Sequence, residues 1–165
     1  MNDWPEPVER VVSFLRSSGA ESLVEEFAEG TPTAQDAANA VGAELRQIVK
    51  SLVFTCGSLN LLVMVPGDRR ADDKKIAAAA GCPKARVAGP DLVLDATGFE
   101  PGAVAPFPLR RIDRIFVDRS LLALDRVWIG AGSTRHMAAL APADLVRLSR
   151  AELLDAVEDP DRPRG

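Results

Sequence analysis

Val8, Val11, Val12 and Leu15 recur at steps of three and four in "PVERVVSFLRSSG", and the run stops at Gly19. That spacing puts all four side chains on one face, so the segment predicts an amphipathic helix closed by a glycine. "ESLVEEF" is short and partly alternating, which predicts a strand. In "TPTAQDAANAVG", Thr33 stands three residues before Asp36, a capping-box variant, and an alanine-rich helix follows to Gly42. "VKSLVFTC" and "LNLLVMVPG" are β-branched and apolar, and "GS" between them suits a tight turn, so the pair predicts a buried hairpin.

"ADDKKIAAAAG" predicts a helix capped by Asp72 and ended by Gly81, "ARVAG" a further short strand, and "DLVLDATG" a short helix ending in glycine. "FEPGAVAPFP" carries four prolines or glycines in ten residues with an aromatic at each side, and predicts a shaped loop. "RIDRIFVD" and "DRVWIGAG" alternate as strands do. Two helices are predicted at the end, "APADLVRL" with Pro142 in its first turn and "SRAELLDAVED" with a Ser149/Glu152 capping box. Helices mixed with hairpin strands, without regular strand–helix alternation, predict an α+β fold around a mixed sheet. Residues 1–158 read as one domain and 159–165 as a tail.

Composition fits that reading. At 165 residues and 47% hydrophobic content the chain can bury one sizeable core. No apolar run approaches the roughly 18 residues that span a bilayer, and "MNDWPEPVER" is unlike a signal peptide, so a cytoplasmic protein is expected. Two cysteines, Cys56 and Cys82, with no CxxC and a single histidine, suggest neither a disulfide framework nor a zinc site, and both read as core or near-surface residues. A net charge of −4 argues against an extended, sequence-independent grip on nucleic acid. "GDRRADDKK" and "PLRRIDRIF" each mix Arg or Lys with Asp and read as solvated faces.

Most catalytic signatures are missing. "GAGSTR" starts like a dinucleotide fingerprint, but Arg135 takes the third glycine's place and no helix pattern opens there. There is no GxxxxGK[ST], GxSxG or HExxH, and His136, without a nucleophile elbow, reads as a surface or loop histidine. Lys50 is different. It stands in the apolar run "QIVKSLVF" with no acidic residue nearby in the chain. Either its stem packs on the core while the ammonium reaches the surface, or the ammonium points into a cleft that draws an anionic or carbonyl-bearing ligand. "GAVAP", Gly102 to Pro106, is the natural opposite wall, because glycine permits close backbone approach and proline fixes the turn.

The ordered set "IVKSLVF", "LVMVPGDRRADDKKIAAAAG", "TGFEPGAVAPF", "RIFVD", "VWIGAGS" and "APADLVRL" resembles the YbaK/EbsC family, the prolyl-tRNA synthetase-associated editing domain and its free-standing relatives, over roughly residues 30 to 150. The resemblance implies a mixed-sheet α+β fold, partly barrel-like and surrounded by helices. It implies a trans-editing deacylase that hydrolyses the ester of a mischarged tRNA, a small amino acid on tRNA-Pro being one candidate. Lys50 matches the family lysine that positions the tRNA 3′ end, and Gly102 and Pro106 match its GxxxP loop. Gly132 and Ser133 match the glycine-rich strand end, and Phe54, Cys56, Gly98, Val104 and Ala105 are the expected pocket residues. No cofactor or metal is implied. The implied partner is the aminoacyl-tRNA acceptor end, with a prolyl-tRNA synthetase or elongation factor as further candidates and neither DNA nor membrane. The competing expectation is a module that binds aminoacyl-tRNA or a small ligand without turnover.

Overall fold

The computed structural model describes residues 4–27, 30–31 and 33–159. The expected tail lies outside them except for Asp159.

Helix α1 (Glu6–Ser18) buries the predicted stripe Val8, Val11, Val12 and Leu15 and ends at left-handed Gly19. Strand β1 (Ser22–Glu26) follows, then α2 (Ala34–Val41), whose cap Thr33 accepts the Asp36 N–H through its hydroxyl. Strands β2 (Val49–Cys56) and β3 (Leu59–Pro66) form the hairpin around Gly57 and Ser58, and Gly57 supplies the positive φ of 62° that a two-residue turn demands. Next come α3 (Asp73–Ala80), β4 (Ala85–Val87) and α4 (Pro90–Thr97). After a long loop the chain adds β5 (Arg114–Asp118), β6 (Val127–Ser133), β7 (His136–Leu140), α5 (Pro142–Ser149) and β8 (Glu152–Leu154).

Among the described residues the strands make two sheets, one of three in the order β1-β7-β6 and one of five in the order β4-β2-β3-β5-β8. The larger is mixed, since β3–β5 and β5–β8 run parallel while β2–β3 and β2–β4 run antiparallel. The architecture is therefore the expected α+β domain with a mixed sheet.

Leu61 through Val65 of β3 are all 0% exposed, which a strand achieves only when both faces are covered. On one face Leu62 and Met64 join Val49 and Val53 of β2, Val11 and Leu15 of α1, and Ile129 and Ala131 of β6. On the other, Leu61, Val63 and Val65 join Phe54 and Cys56 of β2 and Ile76 and Ala77 of α3. A third cluster packs Ala37 and Ala38 of α2 on Ile48, Trp128, Met137 and Ala139.

Three expectations are corrected. The last predicted helix is strand β8: Arg150 ends α5 in the left-handed conformation (φ 57°), and the Ser149 hydroxyl donates to the Leu145 carbonyl instead of capping a new helix. Cross-strand partners decide the matter, with Arg114 donating to both Glu152 oxygens at 3.0 and 2.8 Å and Asp118 accepting the Ala156 N–H at 2.8 Å. Cys56 and Cys82 are a disulfide, their Cα atoms 5.7 Å apart. The β2–β3 hairpin and α3 fold the chain back over their sequence separation of 26, which spacing alone does not reveal. His136 is no surface residue; it opens β7 and is 3% exposed.

Candidate functional site

Because β2 alternates, Lys50 falls in line with Leu52, Phe54 and Cys56 on the α3 side of the sheet, at the strand's outer end. Its Nζ donates to the Arg69 carbonyl at 2.5 Å. Burial lowers its pKa from the usual lysine range, Asp68 opposes that shift and Arg70 adds to it. The carboxylate absent from Lys50's neighbourhood along the chain is thus supplied in space by the segment after β3.

Lys50 borders a cleft of about 330 Å³ between the start of α2, the start of β2, the 102–104 segment and the β6–β7 hairpin. Thr31, Thr33, Ala34, Ala37, Ile48, Val49, Ser51, Leu52 and Met137 complete its walls with Gly102, Val104, Gly130, Ser133 and His136.

The loop wall is held at both ends. At its start the Thr97 hydroxyl accepts the Phe99 N–H at 3.0 Å and donates to the Val93 carbonyl, while Arg10 donates to the Gly98 carbonyl at 2.7 Å and lies over the Phe99 ring. At its end Phe107 stacks on Phe14 of α1, with ring centroids 4.6 Å apart. Between them Gly102 takes a φ of 82° and the Ala103 N–H donates to the Glu100 carbonyl. Gly130 of β6 lets the loop come close, since a Cβ there would sit 2.6 Å from the Val104 carbonyl oxygen. The β6–β7 register slips between Gly130 and Ser133, and Gly132 at φ 101° lies against the Pro7 backbone of α1.

The slip aligns Ser133 with His136. Ser133 Oγ is 2.6 Å from His136 Nδ1 and accepts the Arg135 N–H at 3.0 Å. His136 Nε2 is 3.9 Å from a Glu26 oxygen, and the Trp4 ring meets the imidazole edge-on. Burial lowers the His136 pKa below the ordinary histidine value, with Glu26 opposing and Arg135 reinforcing the shift. Among the described residues, His136 Nε2 and Ser51 Oγ are buried without a hydrogen-bond partner, and both residues line this cleft.

Of the residues singled out from sequence, Lys50, Gly102, Val104 and Ser133 meet here. Phe54 instead lines a second cleft on the α3 side of β2. Ala105 is 0% exposed in the main core, and buried Pro106 closes the loop behind the wall. Gly98 is the left-handed cap of α4, flanked by Arg10 and Arg110, while Gly132 faces α1 and Cys56 is in the disulfide. Sequence reading missed Ser51, Gly130, His136 and Met137. A hydroxyl beside Lys50 in an otherwise apolar strand was the available signal for Ser51; for β7, "HMAAL" offers no alternation to read. Among the described residues no cluster of three or more His, Cys, Asp or Glu could hold a metal ion, and no helix is long and apolar enough to cross a membrane.

The profile of the aminoacyl-tRNA editing domain matches residues 28–148. YwhH of Bacillus subtilis (strain 168), an uncharacterized protein, is 34% identical over 141 residues, covering 84% of this chain and 89% of its own. The proline–tRNA ligase of Lactobacillus gasseri is 26% identical over 117 residues, of which this chain spans only 21% of the ligase's length. A solved structure described as "a putative trans-editing enzyme for prolyl tRNA synthetase" superposes with a TM-score of 0.88 at 35% identity, covering 95% of this chain and all of that one.

Proposed function

Because the chain belongs to the aminoacyl-tRNA editing domain family, we propose that it is a trans-editing deacylase, hydrolysing the ester between a small amino acid and the 3′ end of a tRNA, with tRNA-Pro as the leading candidate. The observation that carries this reading is the convergence of Lys50, the Gly102–Val104 wall and the Ser133–His136 pair on one cleft.

The chemistry asked of the site is modest. Water adds to the ester carbonyl, the carbonyl oxygen takes up negative charge, and the ribose hydroxyl leaves with a proton to give a free amino acid and an intact tRNA. Oriented donors and a nearby cation lower the barrier to such a step by positioning and charge stabilisation. Lys50 supplies the positive charge for the terminal nucleotide, and the loop beginning at left-handed Gly102 presents backbone groups to the aminoacyl moiety. His136, its pKa lowered by burial, holds the Ser133 hydroxyl at the cleft through Nδ1. Ser51 lines the cleft beside Lys50.

Size supports a small amino acid. The 330 Å³ cleft lies at the lower end of the roughly 300–1,000 Å³ of ligand sites. It must accept part of the ribose as well as the side chain.

The test is the rate of ester hydrolysis over a panel of mischarged tRNAs, led by alanyl-, cysteinyl-, seryl- and threonyl-tRNA on several acceptors, for wild type and Lys50→Ala. Selective hydrolysis that falls at least 100-fold in Lys50→Ala is expected. Hydrolysis undiminished in Lys50→Ala would refute the role given to the lysine, and no hydrolysis of any substrate would leave a binding module.

A further inference from the structure

Lys50 borders a second cleft, of about 500 Å³, on the opposite side of β2 from His136. Its charged lining is Lys50, Arg70, Lys84 and Arg86 against Asp73 and Glu158, an excess of positive charge in a chain of net charge −4. Of these cations, Lys50 is held by the Arg69 carbonyl. Among the described residues Arg70, Lys84 and Arg86 make no ion pair, whereas nearby Lys75 is committed to Asp155 and Asp159 at 3.0 and 2.8 Å. Arg114 is likewise committed to Glu152.

Both walls are built. On β4, Val87 lies opposite Phe54 and Ala85 opposite Cys56, and the disulfide ties Cys56 of β2 to the turn that delivers Lys84. Across the cleft the Glu158 N–H donates to the Arg70 carbonyl at 2.8 Å, and the Asp72 N–H to the Ala156 carbonyl at 2.8 Å. Leu52 and Val87, the latter 73% exposed, give the cleft an apolar strip between its charges. Cations beside apolar ground suit a flexible strand of phosphates and bases better than a lone anion.

Resting on the deacylase reading above, we infer that this cleft binds the phosphodiester backbone of the single-stranded RNA 3′ end, with Lys50 on the ridge where the aminoacylated ribose crosses into the first cleft. The net-acidic chain then needs no extended basic surface, since the contact is confined to a few phosphates. A different role for Lys84 and Arg86 is to keep the edge strand β4 from pairing with other chains, and it predicts no effect on RNA.

The probe is a fluorescein-labelled, non-aminoacylated acceptor minihelix with a single-stranded 3′ end, titrated by anisotropy from low to moderate salt. Wild type is compared with Arg86→Glu, the Lys84→Glu/Arg86→Glu pair, the milder Lys84→Gln/Arg86→Gln pair, and Arg16→Glu on α1 as control, each checked for folding by circular dichroism. The double charge reversal is expected to weaken binding at least tenfold and to flatten the plot of log K against log salt by about 1.4, roughly 0.7 for each lost phosphate contact. The KM for deacylation should rise more than kcat falls. Unchanged binding and KM in both double variants, or equal weakening by Arg16→Glu, would overturn the inference. RNA binding that the double variants lose, in a protein that hydrolyses no mischarged tRNA, would support the cleft assignment and sink the deacylase reading instead.

Discussion

Replacing Gly130 by alanine tests whether the loop wall does chemistry or only closes the fold. The new methyl would sit 2.6 Å from the Val104 carbonyl oxygen and 3.4 Å from its carbon. A carbon–oxygen contact settles at about 3.3–3.6 Å, so the loop or β6 must yield by about 0.7–1 Å. Both sides of the contact are backbone, and no side-chain end can swing away. Overpacking of this kind costs about 1–3 kcal/mol, which leaves the protein folded. Misplacing a positioning element by about 1 Å can cost about 100-fold in rate, so kcat/KM for the preferred mischarged tRNA should fall between tenfold and 100-fold. Gly132→Ala is the matched comparison. Its methyl would meet the Pro7 carbonyl oxygen at the same 2.6 Å, but at φ 101° and against α1 rather than the cleft. Backbone strain adds about 1–2 kcal/mol there, so Gly132→Ala should lose more stability than Gly130→Ala. Thermal unfolding and steady-state deacylation on the same preparations decide it. A folded Gly130→Ala that keeps kcat/KM within twofold of wild type would refute the placement of the loop in the site.

His136 should make stability pH-dependent: its folded pKa lies below the ordinary 6.5, so the stabilisation is complete above that value and is lost as pH falls below it. The thermal midpoint should drop more steeply below pH 6.5 in wild type than in His136→Asn, and parallel curves would contradict the assignment. The disulfide closes a span of 26 residues, worth about 3.5 kcal/mol on the chain-entropy relation. Cys82→Ser should therefore lower the melting temperature by about 7–14 °C; two titratable thiols in the unreduced native protein would show the bond absent. Thr97→Val removes the buried hydroxyl that accepts the Phe99 N–H and should cost about 1–3 kcal/mol, together with a fall in kcat/KM; an unchanged melting curve would show that the loop's start is held by Arg10 alone.

Much of the fold was legible because its signals are local. The α1 stripe, the Thr33 and Asp72 caps, the stops at Gly19, Gly42, Gly81 and Gly98, and the Gly57 turn each act within a few residues of themselves. What failed depends on partners far along the chain. Segment 149–159 carries a helical capping pattern, but Arg114 on β5 holds Glu152 of strand β8 and Asp118 holds the Ala156 N–H. Cys56 meets Cys82 because a hairpin and a helix fold the chain back between them. β7 is buried at every position, so it has no polar alternation to betray it.

The candidate site divides along the same line. Lys50 and the Gly102 loop stood out because each breaks a local rule, a charge in an apolar strand and a crowd of turn residues between two aromatics. His136 breaks none. Its Ser133 partner comes from a register slip between two strands beside left-handed Gly132, and burial lowers its pKa. Lys50 itself was half read: its isolation along the chain pointed to an external partner, yet in space Asp68 and the Arg69 carbonyl already attend it. Under the proposed function, a substrate phosphate displaces or shares that hydrogen bond. Lys50→Arg, which keeps the charge but spreads it over a planar fork, should on that account recover only part of the activity that Lys50→Ala loses.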